Sequence, residues 1–433
     1  MKWDSIFPSL PRNWSLQRVK FSLLDGRDGC RIGPFGSALR LDDLTDSGIL
    51  VLGQENVMSS DYSFGKRYIS DRRFEQLAPY EAKAGDILVT MMGSAGRCGV
   101  VPTGSPKAII DSHLLRLRLD PGHLEGRFFL WFLGQSKAAI AQTDMMSNGS
   151  IMAGLNSGTV KNMWVPIPPQ ATQEGIADFL DQKTAAIDAV IEKKERLIEL
   201  LAEKRAALVQ RAVTKGQDPD VPMKDSGVPT LGSVPRHWRV VRNKTVMQEV
   251  NRPSKDGEEE LLTVSHITGV TRRAEKDVTM FMAEDLSGYK RVEAGDLVIN
   301  TMWAWMGALG VTPIPGIVSP AYGTYRFDHS VLDPAFYDYF FRTRPYIVEM
   351  TRYSKGVWTS RLRLYPEQFL SLLTAIPPMP EQRQIVEYVE SATGSFRAIQ
   401  EKLQTQIDRL REYRQALITA AVTGQLDIPG AEA

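Results

Sequence analysis

The 433-residue sequence has only two cysteines, Cys30 and Cys98, and five histidines. Two lone thiols cannot make a disulfide framework, which points to a reducing compartment. His113, His123, His237, His266 and His329 lack ligand-like spacing, so with so few thiols they offer no zinc site. Long apolar runs are also missing. The longest, Phe128–Leu133, falls far short of the roughly 18 residues needed to cross a bilayer. Met1-Lys2-Trp3-Asp4-Ser5 lacks the positive and then apolar stretch of an export signal, so a cytoplasmic location and no membrane partner are expected. Neither charge dominates: 52 Lys and Arg face 51 Asp and Glu, and a net charge of +1 sets up no global field to attract nucleic acid.

Catalytic signatures are absent as well. No Gly-x-x-x-x-Gly-Lys-Ser/Thr loop is present to cradle a nucleoside triphosphate, and no Gly-x-Gly turn links a strand to a helix. Ser319-Pro320-Ala321-Tyr322 superficially resembles the Asn/Asp-Pro-Pro-Tyr/Phe site of amino-methyltransferases, but it lacks the amide or carboxylate that would hold the amine. Asp71 with Glu81-Ala82-Lys83 fits a carboxylate–lysine nuclease pattern only by force, and its counterpart Arg291-Val292-Glu293 does not repeat it. The chain is therefore expected to be no enzyme, with no catalytic residue, metal or cofactor of its own.

What is present is a repeat. Ile167-Pro168-Pro169 returns 209 residues later as Ile376-Pro377-Pro378. The same shift carries Gln173 onto Gln382, Ile176 onto Ile385 and Ala212-Val213-Thr214 onto Ala421-Val422-Thr423. Elsewhere the echo is looser: Pro11-Arg12-Asn13-Trp14 with Pro235-Arg236-His237-Trp238, and Ala84-Gly85-Asp86-Ile87 with Ala294-Gly295-Asp296-Leu297. At 43% hydrophobic and 24% charged the chain is an ordinary globular one, long enough for two to four domains. It divides into a variable module at 1–166, a helical segment at 167–214, a second module at 215–375 and a second helical segment at 376–433.

In the helical segments apolar residues recur alternately four and three apart, the 3.5-residue period of a coiled coil. The first seam is Ile187, Ile191, Ile198, Leu201 and Leu208; the second is Phe396, Leu403, Ile407, Leu410 and Leu417. Lys194, Arg205, Gln400 and Arg414 are polar interruptions suited to fixing register. Each helix follows a module of similar size, so an antiparallel pair with an internal pseudo-two-fold repeat is expected. About 40 residues at 1.5 Å each make a rod of roughly 60 Å. The modules carry short β-rich runs between glycine and proline punctuation. Strands are predicted at Ile49–Leu52, Asp86–Met91, Leu115–Leu119, Leu261–Ser265, Asp296–Met302 and Thr324–Phe327, and helices at Gly126–Gln142 and Pro334–Tyr353. The fold class is α+β: two mixed α/β modules separated by two long helices.

The loops hold the polar groups. Arg pairs with guanine edges and Asn or Gln with adenine edges, because their forks match two groove atoms. On that ground the candidates in the first module are Arg31, Ser37, Arg40, Gln54, Asn56, Ser94, Arg97, Asn148 and Ser150. In the second they are His266, Trp303, Trp305, Tyr322, Lys355, Trp358, Arg361 and Arg363; Trp303 and Trp305, two apart, are expected on one strand face. Taken singly, each first-module loop is more readily an ordinary turn, and the stretch from Lys355 to Arg363 is as readily a solvated one.

Ile376-Pro377-Pro378-Met379-Pro380-Glu381-Gln382, running through to Ala421-Val422-Thr423-Gly424-Gln425, resembles the conserved region of type I restriction–modification specificity (S) subunits. Gly33-Pro34-Phe35-Gly36-Ser37, Gln54-Glu55-Asn56-Val57 and Gly316-Ile317-Val318-Ser319-Pro320-Ala321-Tyr322 are similar to other segments of that family. Copy one departs at Thr172, which stands where Glu381 does in copy two, and at the extra Lys215. The resemblance implies two target recognition domains, each reading one half of an asymmetric bipartite site on double-stranded DNA, with the helices as a fixed spacer. It also implies two modification (methyltransferase) subunits supplying S-adenosylmethionine for adenine N6 methylation. Two restriction subunits would add ATP- and Mg-dependent translocation and cleavage. A stand-alone DNA-modifying enzyme and a coiled-coil scaffold without DNA binding are the alternatives. The recognised bases and the gap length cannot be read from the sequence.

Overall fold

The computed structural model describes residues 6–7, 9–24, 28–92, 96–146, 155–276, 285–358 and 361–428. The chain separates into two compact units, Met1–Glu195 with Gln404–Ala433, and Arg196–Leu403.

The first unit is built on a four-stranded antiparallel sheet in the order Cys30–Ile32, Leu114–Leu117, Ile87–Thr90, Cys98–Val100. Ile87–Thr90 is buried on both faces, which is why it reads as a continuous apolar run rather than an alternating one. A second, five-stranded sheet holds Ile49–Leu52 parallel to Ala108–Ile110, and Ser15–Arg18 pairs with Trp164–Ile167 where the module closes. Phe128, Phe129 and Phe132 fill the core together with Val89, Leu115 and Val165. The far end of the chain joins them: Leu417, Ile418, Ala421, Val422 and Ile428 are buried in the same cluster.

The second unit repeats the four-stranded sheet in the same spatial order: Met247–Glu249, Tyr322–Phe327, Leu297–Asn300, Leu309–Val311. Arg239–Arg242 pairs with Leu373–Ile376 as the closing ribbon. The core is aromatic, with Trp238, Phe336, Tyr337, Phe340, Phe341 and Phe369 fully buried, and Ala212 and Val213 of the first long helix complete it.

The repeated motifs turn out to be the same joints made twice. Gln173 accepts from the Glu125 N–H (2.7 Å) and donates to the His123 and Pro168 carbonyls (3.0 and 2.9 Å). Gln382 accepts from the Asp333 N–H (2.8 Å) and donates to Val331 and Pro377 (2.8 and 2.9 Å). Both glutamines thereby hold the N-cap residue of a module helix. Asp86 accepts the Lys83 N–H and meets Arg118; Asp296 accepts the Glu293 N–H and meets Arg326. Gly424, at φ +71°, lies against Pro11 and Trp14, and Gly216, at φ +74°, lies near Pro235 and Trp238. Both glycines end long helices in the left-handed conformation that only glycine adopts freely.

The long helices are Gln170–Lys215 and Met379–Val422, and they run antiparallel in each unit. In the first, Arg414 pairs with Asp188 (2.9 Å), Arg411 with Glu195 (2.7 Å), and Lys194 donates to Gln406 (2.6 Å). In the second, Gln400 donates to the Ile198 carbonyl (3.3 Å) and Gln217 to that of Gln384 (2.9 Å). All ten seam residues are buried or half-buried, while Val190, Leu197, Leu200 and Ile399 on the outer faces are exposed.

Three expectations need correcting. The helix predicted over Gly126–Gln142 is two, Gly126–Gln135 and Lys137–Met146. Ser136 is extended there; its hydroxyl donates to the Phe132 carbonyl (2.6 Å) and accepts from the Ala139 N–H (3.1 Å), ending one helix and starting the next. Pro334–Tyr353 is likewise broken between Phe341 and Arg344, because Pro345 has no N–H for an unbroken helix and its ring would strike the Phe341 carbonyl. Trp303 and Trp305 share no strand face: the strand ends at Asn300, and the two lie in and beside the short turn Ala304–Met306.

Candidate nucleic-acid interface

In the second unit, strands Leu297–Asn300 and Tyr322–Phe327 place Asn300 directly opposite Tyr322 in an antiparallel pair, so their side chains rise from one face. A cavity of about 500 Å³ opens on that face. Its walls include the candidates His266, Trp303 and Tyr322, together with Arg273, Lys276 and Tyr289. Burial holds the Tyr322 hydroxyl above its usual range; nearby Tyr289 adds to this and Arg273 opposes it, so the group stays a neutral donor. Ser319, from the segment set aside above, lines the same wall.

A second cavity of about 530 Å³ is lined by Trp303 and Met302 again, and by Lys355, Arg361, Arg363 and Tyr365. Lys355 and Arg363 exchange backbone hydrogen bonds (2.9 Å each), which closes the loop that carries Trp358, 67% exposed, at its tip. Among the described residues, five cationic side chains line the walls of the two cavities and no carboxylate does. In a cavity on another part of this unit Arg252 and Arg291 stand among Glu259, Glu260 and Glu293, and their charge is neutralised by ion pairs, unlike that of Lys355, Arg361 and Arg363, which form none among the described residues. Trp305 is half-buried, and its ring N–H donates to the Met302 carbonyl (3.1 Å), bracing the shared rim.

The first unit's candidates are more scattered. Arg31 lies on strand Cys30–Ile32 with its guanidinium over the Tyr80 ring. Ser37 falls in the turn Gly36–Ala38, and exposed Arg40 follows it. Arg73 pins that segment from beneath through the Ala38 carbonyl and Asp43. Phe35 and Leu41, 60% and 86% exposed, flank it. Gln54 opens the short helix Gln54–Ser59, and Arg97 is exposed after strand Ile87–Thr90. Asn56 is not free to read a base: it is fully buried, accepts the Gly53 N–H and donates to the Asp61 and Phe64 carbonyls. Ser94, Asn148 and Ser150 lie outside the described residues.

Sequence reasoning missed Arg273, Lys276 and Tyr289, which sit in no recognisable motif and reach the cavity only through folding. Among the described residues no three His, Cys, Asp or Glu side chains gather closely enough to hold a metal ion, and no helix is long and apolar enough to cross a membrane.

Comparison with known proteins gives a consistent picture. Residues 62–200 match a family model described as the type I restriction modification DNA specificity domain. The chain is 26% identical over 177 residues to the type I restriction enzyme MjaX specificity subunit of Methanocaldococcus jannaschii, spanning 40% of this chain and 40% of that protein. It is 23% identical over 346 residues to the EcoBI specificity subunit of Escherichia coli, spanning 74% of this chain and 70% of the relative. Among solved structures, it resembles a chain from a type I R-M system studied for complex assembly and conformational transition, with TM-score 0.64 and 17% identity over 96% of this chain and all of that one. The HsdS subunit of Thermoanaerobacter tengcongensis matches with TM-score 0.50 and 17% identity, over 96% and 98%.

Proposed function

We propose, from the premise that the chain belongs to the specificity subunits of type I restriction–modification systems, that it reads a split DNA sequence, one half per module. The observation that carries this is the pair of adjoining cavities sharing Trp303, whose walls hold five cations and, among the described residues, no carboxylate. Lys355, Arg361 and Arg363 form no ion pair among the described residues and are available to phosphates, and an exposed aromatic rim beside them offers apolar contact to bases. In this proposal Lys355, Arg361 and Arg363 bind the backbone, while His266, Trp303, Tyr322 and Trp358 approach bases. In the first module Arg31, Ser37, Arg40, Gln54 and Arg97 do the corresponding work, with exposed Phe35 and Leu41 beside them.

The modules have unrelated loops on one repeated framework, so the two half-sites differ. The helices Gln170–Lys215 and Met379–Val422 act as the spacer and as the seat of two modification subunits, which bring S-adenosylmethionine to adenine N6. Restriction subunits, with ATP and Mg, complete the system, and the chain itself performs no catalysis in the cytoplasm. The near-neutral net charge fits a division of labour in which partner subunits add basic surface.

The deciding experiment is a methylation map. The chain is co-expressed with its operon's adenine methyltransferase subunit in a methylation-free host, and N6-methyladenine is located by single-molecule sequencing. The expected result is a split motif with two different halves and a constant gap, of which exchanging residues 1–166 alters one half only. A contiguous motif, or methylation indifferent to deletion of this chain, would overturn the proposal.

A further inference from the structure

The cavity beside Asn300 has a buried amide in its wall. Asn300 is 9% exposed yet lines the wall; its Oδ1 accepts from the Met302 N–H (3.2 Å), while among the described residues no hydrogen bond engages its Nδ2. A base edge inside a stacked duplex is presented along an open groove, and an amide recessed this far is poorly placed to meet it. A nucleotide turned out of the stack presents both ring faces and its pairing edge, which is what a recessed amide, aromatic rings and cations recognise together. The volume of about 500 Å³ lies within the roughly 300–1,000 Å³ range of small-ligand sites.

Resting on the DNA-reading role above, we propose that this cavity receives one nucleotide lifted from the stack of the half-site bound by the second module. Trp303 and Tyr289 offer ring faces, the Asn300 amide and the Tyr322 hydroxyl meet the base edge, and Arg273 and Lys276 lie toward its phosphate. Lys276 donates one bond to Thr268 Oγ1 (2.6 Å), and its ammonium keeps two further protons for a phosphate oxygen.

The test uses the full chain and duplexes carrying its mapped site. At each position of that half-site the opposing base is changed, so that the pair is broken while the read base is kept. Breaking a pair lowers the work of extrusion, so one position should bind about tenfold more tightly than the matched duplex. That gain should vanish in Trp303→Ala, whose fold is checked by circular dichroism. Should every broken pair be neutral or weaken binding while the matched duplex is still preferred, the base stays stacked; this inference fails and the DNA-reading role stands. A gain that survives Trp303→Ala also overturns it, since the receiving site is then elsewhere. Loss of any preference for the mapped site would instead overturn the DNA-reading role. Free deoxynucleoside monophosphates serve as the second probe: binding of these, lost in Trp303→Ala, without any effect of broken pairs, overturns DNA as the source.

Discussion

Replacing Lys355, Arg361 and Arg363 together by alanine should flatten the salt dependence of DNA binding by an amount that can be worked out in advance. All three are exposed, line one cavity, and form no ion pair among the described residues, so their charges are available to phosphates. Each phosphate neutralised by a cation releases counterions and contributes about 0.9 to the slope of log affinity against log salt. Three contacts therefore amount to about 2.7. Between 50 and 200 mM salt, a fourfold change, the native chain should lose roughly 40-fold more affinity than the triple variant. The assay is fluorescence anisotropy of a labelled duplex over that salt range, with the chain alone and with its modification subunits. Arg291→Ala is the control. Arg291 is also exposed but is paired with Glu259 at 3.1 Å, so its removal should leave the slope nearly unchanged. Equal slopes for the native chain and the triple variant, or an equal effect in the control, would refute the assignment of the free cations to phosphates.

Three further outcomes concern the framework. At Gly424 a Cβ would lie 2.5 Å from Pro11, whereas at Gly216 the nearest atom would be Glu381 Oε1 at 3.3 Å. Both alanine variants meet the positive-φ cost of about 1 kcal/mol, and Gly424→Ala adds an overpacking cost of about 1–3 kcal/mol, so calorimetry should rank it as the more damaging; the reverse order would count against the contact. Gln382→Leu leaves the Asp333 N–H and two carbonyls without their partner and should destabilise the second unit by roughly 2–4 kcal/mol in urea, with Gln173→Leu doing the same to the first. Asp28 is opposed by burial, but Arg118 and Arg116 more than offset this and hold its carboxyl below the usual range. Its folded pKa is the lower one, so its stabilisation is complete above about pH 4 and fades as pH falls further; Asp28→Asn should reduce the acid sensitivity of the first unit in pH-dependent melting.

Much of the framework was legible because it is local. Ile49–Leu52 forms over the residues predicted, and the 3.5-residue seam alone identified the faces that the helices bury. What failed was punctuation and depth. Ser136 breaks a helix with its own hydroxyl, and nothing in its neighbours' hydropathy signals that. Asn56 reads as a polar loop residue, yet three hydrogen bonds pull it inside. Nothing in the strand pattern of Leu115–Leu119 singles out its arginines, yet Arg116 is wholly buried, donating to the Pro79 carbonyl and to Asp28. The interface suffered most, since Arg273, Tyr289 and Trp303 come from separate segments and only the sheet brings them to one wall.

The burial of Leu417–Ile428 in the first unit sets an order of events during synthesis. Arg196–Leu403 is a single stretch that can close as soon as it leaves the ribosome, whereas the first unit stays open until residues beyond Gln404 have been made. At about 5–20 residues per second, the N-terminal module waits roughly ten seconds or more with part of its apolar surface uncovered. The half of the protein made first is the half finished last, and it is there that chaperones would find the nascent chain.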